Sequence, residues 1–109
     1  MLTPQQVDAL WAGQEPRRSI TVRGVTGRFA LNGSYQLKWL PDFKLWASGV
    51  IAGQWYYALL DEGGQWVCEL IGADQKPVAK WQGPKHSGEL HPHFQRAGWQ
   101  VTRSMVTVT

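Results

Sequence analysis

The 109-residue chain has the length of one domain, and 17% of its residues are charged while seven are tryptophan. On folding, a chain of this size buries roughly two thirds of the surface that its unfolded form exposes, without the need for covalent cross-links. Its single cysteine, Cys68, excludes an intramolecular disulfide and a thiolate zinc site. The longest apolar run, residues 55–60, is too short to cross a bilayer. We therefore expect one domain over residues 1–109, intracellular by default because no secretory signal is recognisable, without membrane contact.

The first predicted element is a short helix over residues 4–12. Thr3 can cap it, Pro4 suits the first helical position, and Gln6 completes a capping box. One face of this helix carries apolar side chains at helical spacing: Val7, Leu10 and Trp11. The helix therefore needs a surface to pack on.

Downstream of the helix the apolar residues recur with a period of two, which predicts strands over residues 19–82 and 97–108. The fold class predicted is mostly β, a small antiparallel barrel or sandwich of about six or seven strands with the N-terminal helix packed on it. Residues 83–98 lack clear periodicity and are predicted to form a long loop. At Asn32-Gly33 the pattern favours a three-residue hairpin loop over residues 31–33, which would pair Phe29 with Tyr35.

A second hairpin is predicted around Asp61-Glu62-Gly63-Gly64, read as a four-residue loop between two strands. This loop would place Tyr56 opposite Glu69 on one face of the hairpin. The other face is the predicted core, and it carries Trp55, Tyr57, Leu59, Trp66, Cys68 and Leu70.

The low charge and the many rings predict an exposed aromatic face made by Trp46, Tyr56 or Trp81. A nine-residue helix is only about 13 Å long, so it shields part of one sheet face. The remaining rings would then form an apolar patch of the kind that marks an interaction site.

The sequence contains no nucleophile-elbow, cysteine-protease or phosphate-loop motif. We therefore expect a non-catalytic binding module without a cofactor, which contacts a protein partner or self-associates. The competing interpretation is a closed barrel whose interior takes all the large rings.

Two other functions stay open at this stage. The net charge of +3 belongs entirely to residues 1–44, where Arg23, Arg28 and Lys38 lie on strands dense in aromatic residues. Cations and rings together are what a single-stranded nucleic-acid surface needs. The second alternative is a metal-dependent activity in the segment from His86 to His93. There Glu89, His91 and His93 occupy alternate positions and offer nitrogen and oxygen ligands suited to zinc.

Overall fold

The computed structural model describes residues 2–11, 16–28, 30–85, 97–101 and 104–108, which form one helix and one antiparallel sheet. Helix α1 spans Pro4–Trp11. The strands are β1 (Pro16–Arg23), β2 (Gly33–Leu40), β3 (Leu45–Ser48), β4 (Tyr56–Asp61), β5 (Gln65–Ile71), β6 (Pro77–Lys85), β7 (Ala97–Val101) and β8 (Ser104–Val108). The predicted mostly-β fold with an N-terminal helix is confirmed.

The sheet curls on itself. Its strand order is β6-β5-β4-β3-β2-β1-β8-β7, and the two end strands, β6 and β7, also lie against each other. The described residues form eight strands rather than six or seven, in part because the last predicted strand is two paired strands, β7 and β8. The predicted loop over residues 83–98 is shorter, since β6 continues to Lys85 and β7 begins at Ala97; residues 86–96 lie outside the described residues.

Side chains on the concave face of the sheet form the main core. Alternate residues of a strand point to the same face, so the inward residues of each strand meet inside the curl. The predicted core face is confirmed: five of its six side chains are buried here, and Trp55 packs against them partly buried. The buried members of this interior cluster are Ile20, Val22, Leu37, Trp46, Tyr57, Leu59, Trp66, Cys68, Leu70, Trp81 and Val106.

Helix α1 covers the opposite face of the sheet. The predicted capping box is present, because the Thr3 N–H donates to Gln6 Oε1 at 2.8 Å and the Gln6 N–H donates to Thr3 Oγ1 at 3.2 Å. The Tyr56 hydroxyl donates to the Leu2 carbonyl oxygen and so fixes the segment before the helix. The outer cluster joins α1 and the segment before it to the sheet, and it contains Leu2, Val7, Leu40, Leu45, Ala47, Tyr56, Ala58 and Ile71.

The β4–β5 hairpin turns through two glycines, so the predicted four-residue loop is wrong. Gly63 and Gly64 have φ of 63° and 85°, the positive values of a type I′ turn, which matches the twist of a hairpin. Ala58 rather than Tyr56 therefore pairs with Glu69. The faces are unchanged, because a register shift of two residues preserves the direction of every side chain.

The predicted β1–β2 hairpin loop over residues 31–33 is also wrong. Gly33 is the first residue of β2 and pairs with Val22, and Tyr35 pairs with Ile20 rather than with Phe29. Phe29 itself lies outside the described residues. The Asn32 side chain instead accepts from the Val25 N–H at 3.0 Å and donates to the Val25 carbonyl oxygen at 2.8 Å. This amide takes the place of a backbone pair, so the wide connection over residues 24–32 needs no tight turn.

Gly72, which follows β5, lies where a side chain has no room. A Cβ there would be 2.6 Å from Cζ3 of Trp55. We expect Gly72→Ala to lower the free energy of unfolding by about 1–3 kcal/mol, the usual cost of overpacking. The matched control is Gly49→Ala, whose Cβ would lie 3.7 Å from the Trp11 ring, an ordinary contact. Urea denaturation of both variants checks this, and equal stability of the two would contradict the close Trp55 contact.

Candidate binding site

The three rings predicted to form an exposed aromatic face are all buried. The exposed fraction is 3% for Trp46, 0% for Tyr56 and 2% for Trp81. Trp46 pairs with Leu59 and Trp81 pairs with Cys68, so the strand register directs both indoles into the interior cluster. Tyr56 belongs to the outer cluster that α1 covers. The expected exposure of these rings is therefore wrong.

Lys38, predicted to contact phosphate, is engaged in holding α1. It is 7% exposed, its Nζ donates to the Trp11 carbonyl oxygen at 3.0 Å, and the same atom lies 3.6 Å from the centroid of the Trp11 ring. An ammonium group at a helix C-terminus is favoured by the helix dipole, and its place over an indole adds a cation–π interaction. Lys38 is thus a structural cation. Arg23 and Arg28 are exposed.

The predicted metal ligands Glu89, His91 and His93, with His86, lie outside the described residues. In the part of the chain that the structure describes, no three His, Cys, Asp or Glu side chains are placed to share a metal ion. The zinc hypothesis stays a prediction on those four residues.

Cys68 is enclosed in the interior cluster with no exposed surface. Burial raises the pKa of its thiol far above the usual range, with the neighbouring Glu69 carboxylate adding to the effect. The nucleophilic form of cysteine is the thiolate, so this environment suppresses its reactivity. The thiol therefore acts as a small apolar group.

A polar cluster that sequence reasoning missed lies on the outer face of β5 and β6. Lys80 pairs with Glu69 across the two strands, and its Nζ lies 4.0 Å from Glu69 Oε1 and 3.0 Å from Glu62 Oε1. Burial raises the pKa of the Glu69 carboxyl, and the charge on Lys80 opposes that rise. The charges of the cluster are paired with one another.

Among the described residues, the strand pairing leaves one side of β2 without a partner strand along its first half. β1 pairs with β2 from Gly33 onward, whereas β3 reaches only residues 37–40, because it ends at Ser48. The Ser48 hydroxyl accepts from the Tyr57 N–H at 2.8 Å and donates to the Gly49 carbonyl oxygen at 2.9 Å. The Ser48 side chain thus replaces the next backbone hydrogen bond between β3 and β4, and the chain leaves the sheet after Ser48.

Residues 49–54 form a turn that stands away from β2. Ile51 and Trp55 close it through a single bridge, with the Ile51 N–H donating to the Trp55 carbonyl oxygen at 2.7 Å. Ala52 and Gly53 take positive φ of 52° and 72°, which reverses the chain within a few residues. Ile51 anchors the turn by packing against the interior cluster.

A surface depression of about 480 Å³ lies between α1, the uncovered side of β2 and this turn. We call it the β2 groove; its lining residues are Trp11, Ser34, Tyr35, Gln36, Gly49, Val50, Ile51 and Ala52. None of these side chains carries a charge. A second depression of about 320 Å³ adjoins it, shares Val50 and brings in Asp8 of α1.

Trp11 forms the α1 side of the groove. Its Nε1 donates to the Ala47 carbonyl oxygen at 3.0 Å, and its ring lies against Gly49. With Lys38 bound to its carbonyl oxygen, the residue is held from both ends. Sequence reasoning counted Trp11 only as part of the apolar helix face.

Comparisons of the chain with protein-family models, with curated proteins and with solved structures found no match. Among the described residues, α1 is the single helix, and its eight residues are too few to span a membrane.

Proposed function

We propose that this chain is a non-catalytic module that binds a protein partner in the β2 groove. The observation that carries the proposal is the groove itself, an open, uncharged depression with Trp11, Tyr35 and Ile51 half-buried in its lining. Aromatic and aliphatic side chains beside a few polar groups are typical of the centre of protein interfaces, where charged residues are depleted. Ser34 and Gln36 supply the polar groups here.

The lining is also fixed in place before any partner arrives. Trp11 is hydrogen-bonded to Ala47, and the Tyr35 hydroxyl donates to the Leu31 carbonyl oxygen at 2.9 Å. A surface whose side chains are already ordered loses less conformational entropy on binding. Cys68, the one thiol of the chain, is buried as a neutral group, which gives the binding role further support over thiol catalysis.

The test uses a library of random linear peptides selected for binding to the folded chain. We expect selected peptides to bind wild type and to bind Val50→Arg at least about tenfold more weakly, a loss of about 1.4 kcal/mol. Val50 lines both depressions and is half-buried, so a charged side chain there obstructs the groove. Fluorescence anisotropy with a labelled peptide gives the affinities.

The matched control is Gln82→Arg, which adds the same charge at an exposed position of β6, four strands from β2 in the sheet order. It should bind the peptides as wild type does. Failure to select any peptide, or equal binding by both variants, would overturn the assignment to the groove. Sedimentation equilibrium of the free protein separates binding of a partner from self-association.

Single-stranded nucleic acid is the second candidate ligand, favoured by the exposed side chains of Arg18, Arg23 and Arg28 in the basic half of the chain. We expect any such binding to weaken steeply with salt, and the Arg23→Ala/Arg28→Ala variant to lower the slope of log K against log salt by about 1–2. Lys76→Ala, which removes an exposed cation outside that half, is the control. Anisotropy of labelled oligothymidine measures both, and absence of binding at low salt would exclude this ligand.

A further inference from the structure

We infer that the β2 groove takes its partner as an extended peptide, which adds a strand to the sheet along residues 33–36 of β2. This inference rests on the proposed function, since it specifies the class of partner for the same groove. The structural feature behind it is the mismatch in length between β2 and β3.

Among the described residues, the first half of β2 has a row of backbone groups that no neighbouring strand pairs with. The backbone N–H and C=O groups of a strand alternate between its two sides. At Leu37 and Lys38 both sides are paired, with β1 and with β3, but over residues 33–36 only the β1 side is paired among the described residues. Alternate residues of this half therefore present donors and acceptors to the groove, as an edge strand does.

The groove has the walls that a single added strand needs. The uncovered side of β2 forms one wall, and the turn over residues 49–52 faces it. Trp11 flanks the outer side, where Ser34 and Gln36 are exposed. A peptide lying along β2 would hydrogen-bond through its main chain and place alternate side chains against Trp11 and Val50, the mode of β-strand addition.

The geometry selects a linear peptide rather than a second copy of this chain. Two copies pairing through β2 would each have to insert a recessed strand past the other's α1 and turn over residues 49–52. A flexible extended peptide has no such flanking helix or turn, so it can enter the groove. Because the lining is uncharged, the paired part of the peptide should hold uncharged residues. Exposed Asp8, in the adjoining depression, matches a lysine or arginine beyond that part.

The experiment is an N-methyl scan of one peptide selected on the wild-type chain. Each backbone amide of that peptide is methylated in turn, and its affinity is measured by fluorescence anisotropy against the full chain. We expect methylation at alternate residues of a segment of about four to weaken binding by about tenfold or more, because strand addition uses every second N–H. Methylation of the intervening residues should leave the affinity within about twofold.

Asp8→Asn should weaken binding of a lysine-containing peptide and leave the affinity of its lysine-free analogue unchanged.

Uniform sensitivity to methylation, or none, would overturn strand addition. If the methylation pattern failed but the Val50→Arg variant still bound that peptide weakly, the proposed function would stand and strand addition would be wrong. If the Val50→Arg variant bound the peptide as tightly as wild type, both the proposed function and strand addition would be wrong. A wild-type chain that dimerises, with the peptide displacing the dimer, would overturn the linear peptide as the occupant and assign the groove to a second copy.

Discussion

Replacing Trp81 with alanine is expected to lower the free energy of unfolding by about 3–5 kcal/mol, as truncation of a buried aromatic side chain does. The ring lies in the interior cluster, with its centroid 6.0 Å from that of Tyr57, so alanine would leave a cavity among rigid neighbours. Trp46→Ala should cost a similar amount, because its ring is buried beside that of Trp39 at a centroid distance of 5.3 Å. Equilibrium denaturation in urea measures the change, with one value for the dependence of the unfolding free energy on urea concentration fitted to all variants.

Two further variants sharpen this test. Phe43 is 47% exposed, and Phe43→Ala should change the free energy of unfolding by less than about 1 kcal/mol. Trp81→Phe should be milder than Trp81→Ala, because it fills most of the cavity, and the Trp81 Nε1 has no hydrogen-bond partner among the described residues. Similar, small losses for Trp81→Ala and Phe43→Ala would contradict an interior position for Trp81.

Leu59→Ala is expected to cost about 2–5 kcal/mol of unfolding free energy, because Leu59 is fully buried near the middle of β4. Leu10→Ala makes the same chemical change on α1 at a side chain that is 38% exposed, and we expect a loss of less than about 1 kcal/mol. Thermal unfolding followed by circular dichroism should rank the two variants in this order. The reverse order would mean that the faces of β4 are assigned the wrong way round.

The faces of β4 and β5 were predictable, whereas the register between the strands was not. The largest apolar side chains of the two strands share one parity, with Tyr57 and Leu59 on β4 and Trp66 and Leu70 on β5, and this parity identifies the face that lies in the interior cluster. The register depends on how the turn at Gly63-Gly64 closes, and two-residue and four-residue loops preserve the same faces. Sequence pattern alone therefore cannot separate them.

Asn32-Gly33 misled the prediction for a different reason. The pair is typical of tight hairpin turns, but here the Asn32 amide binds Val25 across a wide loop. The hydroxyls of Tyr35 and Tyr57 donate to the Leu31 carbonyl oxygen at 2.9 Å and 2.8 Å. The Tyr57 bond joins residues 26 apart, whereas the Asn32 and Tyr35 bonds join residues four to seven apart. Together they stabilise an alternative to the local turn, which the turn preference of Asn32-Gly33 alone does not show.

The candidate site was the least predictable part of the molecule. Trp46 and Trp81 could not be placed because the partners of β3 and β6 are set by tertiary pairing. Lys38 looked like a surface cation because the pattern of β2 alone does not show that Trp11 would cover it. The β2 groove arises because β3 stops at Ser48, a difference in strand length that periodicity does not reveal.

Amide hydrogen exchange along β2 in the free protein tests the central claim, an uncovered strand side in the groove, most directly. Leu37 and Lys38 are paired on both sides, so both of their amides should be protected. Over residues 33–36 we predict alternation, with amides directed at β1 protected and amides directed at the groove exchanging faster by at least about tenfold. Equal protection of all the amides in residues 33–36 would contradict the open edge and, with it, the strand-addition inference.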